Sequence, residues 1–594
     1  MHVCSSAGVS IWGDGMVRTY NAEEQYQQWL AWPDHPASLK EQLEGLREQP
    51  DTLFDSFYRS LSFGTGGMRG VLGPGTNRMN IYTVRRATYG FAQYLRATSE
   101  GEPSVVIGYD GRRQSAEFAL EAGLVMAAAG VTAFVFQELC PTPELSFAVR
   151  EFGASGGIMI TASHNPPEYN GYKVYNKTGG QILDDEASAI TAQIEQVEDW
   201  FSIPRMHREE AEAAGLLRWV SESLEHRYVE RVVQALQRPT VSADARRNLR
   251  IVYSALHGTG NRPVLAVLEA AGYTQVHTVQ SQAEPHPEFP TVASPNPEEP
   301  EAFSQSLTVA QQWAADVVFA TDPDADRVGV AVRKADGEYT LLTGNQTGAL
   351  LVDFWLEQLA AERRLPHRGV VFKTIVTSEF GAQLARRHRV DVEDTLTGFK
   401  YIGAKASEYE RTGEKTFLFG YEESYGYLAA PLVRDKDAVQ ICLLLAEMAA
   451  FYKERGQNLL DVLEQRYKTV GFFAERLFSK TLPGADGMSR MAALMQQLRA
   501  DGIRVDGLQL AAVEDYWLRE KRWVNVAASS SEPLSLPKAD VLKFIFTNGS
   551  WLAVRPSGTE PKMKVYVGAR GETRADCDDV LHRLSTAANA ILSS

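Results

Sequence analysis

The sequence predicts an α/β protein in which three related α/β domains follow one another and a smaller α+β domain comes last. Three separate segments repeat the order strand, polar turn, helix and strand, which is the βαβ unit of a parallel sheet. After about residue 456 this order gives way to strands at hairpin spacing with helices beside them, as in an α+β domain. A chain of 594 residues has room for about four domains. We therefore expect mixed, mainly parallel sheets in the first three domains.

The three βαβ segments begin at Ser104, Leu249 and Gly369, each with a short apolar strand. Repetition of one unit at domain-scale separation indicates related domains in tandem. The helices of these units are predicted near residues 115–129, 263–271 and 379–387. In the C-terminal part, apolar patterns predict strands and helices at residues 488–500, 540–546, 551–555, 564–567 and 574–592.

These patterns divide the chain into five stretches. Residues 1–60 are interpreted as an N-terminal extension and a helical lead-in, with residues 1–15 expected outside the fold. The four predicted domains cover residues 61–215, 216–328, 329–456 and 457–594. Each of these domains contains one distinctive polar motif, and the four motifs are the candidates for function.

Composition and charge exclude several classes of function. Hydrophobic residues make up 44% of the chain and aromatic residues 10%, as in a globular protein with apolar cores. The formal net charge of −15 argues against a general nucleic-acid-binding protein, although it allows a locally basic pocket. No apolar run of about 18 residues occurs, so no membrane interaction is expected.

The cysteines and the start of the chain predict a cytoplasmic protein. Cys4, Cys140, Cys442 and Cys577 are scattered and show no CxxC spacing, which excludes a disulfide framework and an obvious zinc site. Such cysteine usage is typical of a reducing compartment. The first fifteen residues also lack the basic and apolar regions of a signal peptide.

The candidate nucleophile is Ser163, in the stretch Thr161–Pro166. It follows an apolar run at residues 156–160, which predicts a short buried strand. Pro166 and Pro167 prevent a helix from starting at once, so the serine is expected on a constrained turn at a strand end. Open α/β sheets place their chemistry at such turns. A polar surface loop is the alternative for this motif taken alone.

Three aspartates on alternate residues, Asp322, Asp324 and Asp326, follow an apolar strand and predict a metal site. Their carboxylates can converge on one hard cation, and a small set of oxygen ligands suits magnesium (Mg²⁺). An EF-hand loop needs glycine at its sixth position and glutamate at its twelfth, where this chain has Arg327 and Arg333. The remaining alternative is a solvated acidic turn, in which the three charges would repel one another.

Two further stretches carry cations. In Phe63–Gly70 the glycines allow the backbone to approach a ligand closely, and Arg69 could supply a bidentate contact to a phosphate. In Asn170–Asn176 Lys173 alternates with apolar residues, so it is a candidate acid or base, or a partner for a phosphate. A surface lysine on an edge strand is the alternative.

A glycine-bounded loop at Gly420–Gly426 contains Glu422 and Ser424 at two-residue spacing. A carboxylate and a hydroxyl on one side of an extended segment can bind neighbouring sugar hydroxyls. Downstream, the stretch Arg434–Asp437 adds basic charge. Either piece alone could be an ordinary loop.

The stretch Arg555–Lys564 lies between two predicted strands and has the composition of a phosphate-binding loop. Backbone N–H groups near Gly558, the hydroxyls of Ser557 and Thr559, and the two terminal cations could surround an anion. The Gly-Lys-Ser/Thr ending of a Walker loop is absent. A basic hairpin is the alternative.

In this combination and order, the chain resembles the α-D-phosphohexomutase family. The resemblance depends on four motifs, spans roughly residues 60–570, and is strongest to the phosphoglucomutase branch, which also includes phosphopentomutases. These motifs are Thr161–Pro166, Asp322–Arg327, Tyr421–Gly426 and Arg555–Thr559. Pro323 and Ala325 stand at spacer positions often held by glycine in the family, and Lys564 stands where some members have arginine.

The resemblance implies four domains around a central cleft and a role for each motif. Ser163 would be carried as a phosphoserine whose phosphate completes the Mg²⁺ shell formed with the three aspartates. The implied cleft residues are His164, Lys173 and Arg327 near the reaction, and Arg69, Thr397, Gly398, Glu422, Ser424 and Lys436 on the substrate. The implied grip on the non-reacting phosphate consists of Arg555, Ser557, Gly558, Thr559 and Lys564.

The implied reaction passes the Ser163 phosphate to a sugar monophosphate and gives a bisphosphate, which reorients and returns its other phosphate to Ser163. For glucose, this interconverts glucose 1-phosphate and glucose 6-phosphate, with glucose 1,6-bisphosphate as intermediate and activator. A phosphopentomutase or mixed hexose/pentose mutase is the alternative enzyme. A non-catalytic sugar-phosphate-binding homologue and a metal-dependent phosphatase are alternatives of other classes. A monomer or small homo-oligomer is expected.

Overall fold

The computed structural model describes residues 9–12, 15–64, 66–482, 487–524, 530–557 and 562–593, with side chains from residue 19 onward. The chain begins with an antiparallel hairpin of β1 (Val9–Trp12) and β2 (Gly15–Arg18). The helical lead-in predicted before residue 60 consists of three short helices. They are α1 (Ala22–Ala31), α2 (Ala37–Gly45) and α3 (Pro50–Phe57).

These lead-in helices share an apolar core with the first sheet. The Trp29 side chain is 2% exposed, and its ring packs edge-on against the rings of Phe57, Tyr82 and Phe201. The side chain of Asn21 caps α1 by accepting a hydrogen bond from the backbone N–H of Glu24. Burial of this aromatic cluster therefore joins the helices to the domain that follows them.

The first α/β region contains a six-stranded sheet in the order β3-β7-β6-β4-β5-β8. Its elements are β3 (Gly67–Val71), α4 (Ile81–Thr98), β4 (Ser104–Tyr109), α5 (Ser115–Ala128), β5 (Thr132–Phe136), α6 (Thr142–Phe152), β6 (Gly156–Ile160), β7 (Tyr169–Asn176), α7 (Asp184–Glu195), α8 (Arg208–Ala213) and β8 (Leu217–Val220). Strands β4, β5, β6 and β8 are parallel, whereas β7 and β3 are antiparallel to their neighbours. Because β8 pairs with β5, this sheet continues past the predicted boundary after residue 215.

The second α/β region has a five-stranded sheet in the order β10-β9-β11-β12-β13. Its elements are α9 (Ser223–Leu236), α10 (Ala243–Asn248), β9 (Ile251–Ser254), α11 (Asn261–Ala270), β10 (Val276–Thr278), α12 (Ser304–Trp313), β11 (Val317–Thr321), β12 (Val328–Arg333) and β13 (Tyr339–Leu341). Strand β12 returns antiparallel beside β11, and β13 pairs with β12. The sheet therefore runs to Leu341, past the predicted boundary between residues 328 and 329.

In the third α/β region, β14 lies between β15 and β16 and is parallel to both. The elements are α13 (Gly344–Ala361), β14 (Gly369–Thr374), α14 (Glu379–Arg387), β15 (Asp391–Thr395), α15 (Phe399–Thr412), β16 (Thr416–Glu422), β17 (Gly426–Leu428) and α16 (Ala438–Lys453). All three predicted βαβ segments are thus present with parallel strands, as β4-α5-β5, β9-α11-β10 and β14-α14-β15.

The C-terminal region is α+β, with an antiparallel sheet in the order β18-β24-β23-β22-β19-β20-β21. Its elements are α17 (Leu459–Val470), β18 (Phe472–Thr481), α18 (Gly487–Asp501), β19 (Leu510–Asp515), β20 (Glu520–Trp523), β21 (Ser531–Pro533), β22 (Leu542–Phe546), β23 (Trp551–Pro556), β24 (Lys562–Gly571) and α19 (Arg574–Ser593). Together with the three α/β regions, this confirms the predicted fold class.

The described residues form two compact units. The first unit contains the residues up to Leu341 together with Gly403–Arg411 and Gly426–Phe451. The second unit contains Leu342–Ile402, Thr412–Tyr425 and the residues from Tyr452 onward. Among the residues that the structure describes, no helix is both long and apolar enough to cross a lipid bilayer.

Candidate active site

Ser163 lies in the first unit, on the loop that leaves the carboxyl end of β6. Its backbone φ is +52°, an unusual conformation for a residue other than glycine, so the serine is held on a tight turn. The residue is 3% exposed. Its Oγ donates a hydrogen bond to Asp322 Oδ2 over 2.7 Å and lies 3.2 Å from His164 Nδ1. The structure therefore brings the candidate nucleophile directly against the aspartate loop.

The aspartate loop follows the buried strand β11, as predicted. Asp322, Asp324 and Asp326 are 0%, 0% and 2% exposed, and one oxygen from each lies within 4.8 Å of the others. Oδ1 of Asp324 and Oδ1 of Asp326 are buried without a hydrogen-bond partner. Buried carboxylate oxygens normally have partners, so these two atoms fit the oxygen ligands of a hard cation. The aspartates could thus hold a metal ion.

Backbone contacts fix the shape of this loop. Ala325 has a φ of +50°, which explains why glycine could serve at this position. The carbonyl oxygens of Pro323 and Asp324 accept hydrogen bonds from the backbone N–H groups of Thr259 and Thr142, respectively. Both donors belong to other elements of the first unit, so contacts with the surrounding structure hold the aspartate loop in place.

Three cations surround the aspartates. Lys173 Nζ lies 2.7 Å from Asp324 Oδ2 and 3.4 Å from Asp326 Oδ2. Lys436 Nζ lies 3.0 Å from Asp326 Oδ2. Arg327 Nε lies 3.8 Å from Asp326 Oδ1, and its guanidinium also pairs with Glu298. The alternative of a surface lysine on an edge strand is therefore wrong for Lys173, which lies on β7 and is 9% exposed.

The neighbouring charges separate the pKa values of this cluster. Burial and the charges of Asp324 and Asp326 raise the pKa of Asp322 well above its usual value. Burial also acts to raise the pKa of Asp324, but Lys173 outweighs it and lowers that pKa. For Lys173, burial lowers the pKa and the two aspartates more than compensate, so the ammonium group stays charged. Loss of solvent, followed by the charges of Arg327 and Arg69, lowers the pKa of His164 and favours neutral imidazole.

Arg69 reaches the same loop from β3. Its Nη1 donates a hydrogen bond to Asn165 Oδ1 over 2.7 Å, two residues beyond Ser163. Arg69 is exposed, in contrast to the aspartates. A guanidinium at this position is close to the nucleophile loop and still accessible to a ligand.

Sequence reasoning missed the residues that support this cluster. Thr142, at the start of α6, donates from its hydroxyl to Asp324 Oδ2 over 2.9 Å. Asp435 accepts hydrogen bonds from Lys436 Nζ and from the Tyr175 hydroxyl, both over 2.9 Å. Arg112 donates to the carbonyl oxygen of Ser163. Only Arg112 carried a usable signal, since it follows the strand-end stretch Gly108–Asp110.

The predicted hydroxyl-binding loop lies in the second unit, at the end of β16. Glu422 is 6% exposed, and its Oε1 accepts a hydrogen bond from the backbone N–H of Gly398 over 2.8 Å. Ser424 is partly buried. The Thr397 hydroxyl is buried without a hydrogen-bond partner, as for a group whose partner is a ligand. The structure thus brings the predicted residues Thr397, Gly398 and Glu422 together.

The adjacent acid, Glu423, was not among the predicted site residues. Its Oε2 accepts hydrogen bonds from the hydroxyls of Thr374 and Thr377 over 3.1 and 2.8 Å. The loop also packs tightly on α13, because a Cβ on Gly344 would lie 2.0 Å from the carbonyl oxygen of Glu423. These contacts hold the loop backbone that carries Glu422.

The predicted phosphate-binding loop connects β23 and β24, also in the second unit. Arg555 and Lys564 are cross-strand partners, and the backbone N–H of Ser557 donates to the carbonyl oxygen of Lys562 over 2.8 Å. Arg555, Ser557 and Lys564 are all partly buried. Gly558 and Thr559 lie outside the described residues.

Charges from this loop and from the Glu422 loop both affect the pKa of one side chain, Tyr566. Burial is the main reason why the pKa of Tyr566 is raised. The charge of Glu423 raises that pKa further, Arg555 opposes it, and Glu422 adds a smaller contribution in the same direction as Glu423. Charged groups of both predicted loops therefore act on the same buried tyrosine of the second unit.

Family models match the chain in four consecutive blocks. The phosphoglucomutase/phosphomannomutase alpha/beta/alpha domains I, II and III match residues 60–200, 226–337 and 343–470, and the C-terminal domain matches residues 496–583. The chain belongs to the phosphoglucomutase/phosphomannomutase family. This confirms the resemblance on which the sequence interpretation depended.

Curated members of the phosphoglucomutase/phosphomannomutase family cover most of the chain. A phosphoglucomutase of Staphylococcus epidermidis is 39% identical over 511 residues, which are 86% of this chain and 90% of that protein. A phosphoglucomutase of Staphylococcus aureus is 37% identical over 532 residues, 89% of this chain and 93% of that protein. The similarity therefore extends over most of this chain and most of both relatives.

Solved structures show the same fold. The open form of parafusin, a phosphoglucomutase from Paramecium, has a TM-score of 0.67 at 15% identity and covers 89% of this chain and 94% of its own. A phosphoglucomutase/phosphomannomutase family protein from Burkholderia thailandensis has a TM-score of 0.64 at 20% identity, covering 89% and 97%. The family fold thus extends over nearly the whole chain.

Proposed function

We propose that the protein is a phosphoglucomutase, an intramolecular phosphotransferase that interconverts α-D-glucose 1-phosphate and glucose 6-phosphate. In this proposal Ser163 is carried as a phosphoserine and glucose 1,6-bisphosphate is the intermediate and activator. The observation that carries it is the 2.7 Å hydrogen bond between Ser163 Oγ and Asp322, beside two partnerless buried carboxylate oxygens. The Staphylococcus relatives, both phosphoglucomutases, favour this enzyme over a phosphopentomutase.

Asp322, Asp324 and Asp326 would hold Mg²⁺, with the Ser163 phosphate as a further ligand. The donor set is all oxygen, and burial of three carboxylates within 4.8 Å is unfavourable unless cations balance them. When bound, the ion would supply electrostatic stabilisation of the charge on the transferring phosphoryl group.

The cations of the first unit supply the remaining neutralisation. Lys173, Arg327 and Lys436 are already paired with the aspartates, so their positions are fixed before substrate arrives. The lysine is charged, as its raised pKa requires, and therefore acts as a proton donor or phosphate partner rather than as a base. Arg69 is placed to hold a phosphate beside Ser163.

Proton transfer at Ser163 has two neighbouring acceptors. When Ser163 receives a phosphoryl group, its hydroxyl proton must leave. Asp322 Oδ2 accepts the hydrogen bond of that hydroxyl over 2.7 Å. His164 Nδ1 lies 3.2 Å away as neutral imidazole. Both groups are therefore within reach of the hydroxyl proton, and Asp322 Oδ2 is the nearer of the two.

The second unit supplies recognition. Glu422 and Ser424 bind sugar hydroxyls, with Thr397 and Gly398 beside them. The phosphate that is not reacting is gripped by cations and hydroxyls from the β23–β24 loop. This set is Arg555, Ser557, Gly558, Thr559 and Lys564. Arg555 and Lys564 are only partly buried, so a phosphate can reach their charged ends.

The test is coupled turnover of α-glucose 1-phosphate with Mg²⁺ and a trace of glucose 1,6-bisphosphate, run beside ribose 1-phosphate. A strong preference for the glucose ester is expected. A preference for ribose would give a phosphopentomutase with the same chemistry. Release of inorganic phosphate without isomerisation would give a phosphatase, and binding without turnover would give a non-catalytic homologue. Each of these three results contradicts the proposal.

We also propose a cytoplasmic location and no nucleic-acid partner. Cys140, Cys442 and Cys577 are buried free thiols, which suits a reducing compartment. Cys4 lies outside the described residues. The net charge of −15 would repel a polyanion such as a nucleic acid. A few local cations can still bind a small anionic substrate. A monomer or small homo-oligomer remains a prediction.

A further inference from the structure

Arg112 makes an unusual set of contacts to the loop that carries Ser163. Its side chain is 0% exposed and lies in the first unit, just after β4. Nη1 donates to the carbonyl oxygens of Pro166 and Tyr169 over 2.9 and 3.0 Å. Nη2 donates to the carbonyl oxygens of Ser163 and Asn165. One guanidinium therefore binds four main-chain oxygens within seven residues.

Two residues hold Arg112 itself. Asp110 Oδ2 lies 3.3 Å from Arg112 Nε, and Asp110 Oδ1 accepts a hydrogen bond from the backbone N–H of Arg112 over 3.0 Å. The ring of Phe289, which comes from the second α/β region, lies 4.9 Å from the guanidinium carbon. A charged fork that is paired at one edge and stacked on one face keeps a single orientation.

The loop needs such a partner because it has no regular structure of its own. Residues 161–168 connect β6 to β7 and are neither helix nor strand. Buried carbonyl oxygens are normally hydrogen-bonded, so a loop lacking Arg112 would move to find water or other donors. Ser163, near the start of this loop, has a φ of +52°. A small backbone rotation at this residue would move its Oγ away from Asp322.

We propose that Arg112 is a positioning residue that fixes the direction of the Ser163 hydroxyl by binding three carbonyl oxygens of its loop and one at the start of β7. It contacts neither substrate nor metal in this role. The inference depends on the proposed phosphoserine chemistry and extends it to a residue outside the predicted site. Phosphoryl transfer depends on alignment, and a displacement of about 1 Å costs about 100-fold in rate. Arg112 thus acts on transfer and leaves substrate binding nearly unchanged.

The test compares Arg112→Lys with a matched control, Arg113→Lys. Arg113 is the next residue, is 52% exposed at its side chain and pairs with Glu288 on the surface. Lysine at position 112 keeps the charge but presents one nitrogen, which cannot serve carbonyl oxygens on two sides. The full chain is mixed with Mg²⁺ and glucose 1,6-bisphosphate, and phosphate on Ser163 is followed by rapid quench and intact mass.

We expect Arg112→Lys to slow phosphorylation of Ser163 about 100-fold, while the KM for glucose 1-phosphate changes less than about threefold. Arg113→Lys should match the wild type. Phe289→Leu removes the ring that stacks on Arg112 but keeps the guanidinium, and it should slow phosphorylation of Ser163 about 10-fold. This variant is the second test if Arg112→Lys does not fold. Added guanidinium ion should restore part of the rate to Arg112→Ala, whereas equal sodium chloride should not.

Two results would overturn the inference. The first is phosphorylation of Arg112→Lys, or of Phe289→Leu if the former does not fold, within threefold of the wild-type rate. The second is a raised KM with kcat unchanged, which would place Arg112 in substrate binding. A wild-type protein that never gains phosphate on Ser163 would instead overturn the proposed function, so the two failures are distinguishable.

Discussion

The two units present their candidate functional groups in opposite ways. In the first unit Asp322, Asp324 and Asp326 are at most 2% exposed, and each of the cations Lys173, Arg327 and Lys436 is already ion-paired with at least one of them. In the second unit Ser424, on the connection after β16, and Arg555, near the end of β23, are partly buried. The first arrangement fixes charge, whereas the second leaves polar groups accessible.

On the proposed function, this difference follows from the two tasks. Transfer of a phosphoryl group needs charges that are already oriented, because reorienting them during the reaction would raise the barrier. Recognition must accept a bisphosphate in two orientations, with either phosphate in the non-reacting position. Accessible cations on a loop suit that requirement better than buried ones. Substitutions in the first unit should therefore lower mainly kcat, whereas substitutions in the second unit should raise mainly KM.

The largest contrast is expected between the two candidate serines. Ser163→Ala removes the proposed phosphate carrier and should lower kcat at least about 10⁴-fold. Ser424→Ala removes one hydrogen bond to substrate and should lower kcat/KM about 10-fold, mostly through KM. Both variants are assayed for glucose 1-phosphate turnover. Comparable losses in the two variants would contradict a division between transfer and recognition.

The next contrast is between two adjacent acids of the second unit. Glu422→Gln keeps the size of a 6% exposed side chain and should raise the KM for glucose 1-phosphate about 10-fold, with kcat nearly unchanged. Glu423→Gln is the matched control, because that carboxylate is occupied by Thr374 and Thr377. A fall in kcat at constant KM in Glu422→Gln would move Glu422 from recognition to transfer.

The sequence predicted the fold because its determinants are local. The three βαβ segments and the change after residue 456 are visible as alternation between short apolar runs and polar turns. The domain boundaries at 215 and 328 were harder. Strand β8 joins its sheet by pairing with β5, and such pairing of distant segments leaves no local mark in the sequence. Strand β12 pairs with the preceding strand β11 across the aspartate loop, so a boundary placed directly after that loop divides a hairpin.

The candidate site divides in the same way. Ser163 and the three aspartates belong to short motifs, so the sequence could predict that they share a site. The structure shows the 2.7 Å contact between Ser163 Oγ and Asp322 Oδ2. Thr142 could not be anticipated, because it acts through Asp324, a residue far along the chain. Arg112 follows a predicted strand end, but its contact with the Ser163 loop is not visible in the sequence. Thr142 meets Asp324 only after two α/β regions pack together.

Thr142 gives a smaller test, which is confined to the metal. Its hydroxyl donates to Asp324 Oδ2, so Thr142→Val keeps the shape and leaves that carboxylate less well oriented. The Mg²⁺ concentration for half-maximal activity should rise about 10-fold, and Thr142→Ser should restore it. Thr377→Val is the control from the second unit, where the hydroxyl serves Glu423. An equal Mg²⁺ shift in Thr377→Val would contradict a metal-specific role for Thr142.

The smallest expected effect concerns stability and lies at Glu144, on α6 of the first unit. Glu144 is 2% exposed, and its Oε2 has no hydrogen-bond partner. Burial, followed by the charge of Glu225, raises the pKa of Glu144 to about 8, with Arg262 opposing the shift. In the unfolded chain the pKa of glutamate is about 4.3. The folded protein therefore binds one more proton than the unfolded chain between those values.

Because of that extra proton, the free energy of unfolding should fall as the pH rises from about 4.3 to about 8. Glu144→Gln removes the ionisation and should add about 1–2 kcal/mol to the stability of the first unit at pH 9, with little gain at pH 4.5. Thermal unfolding at both pH values measures this, with the exposed Glu138→Gln as control. An equal gain at the two pH values would mean that better packing, rather than a buried carboxylate, separates the variant from the wild type.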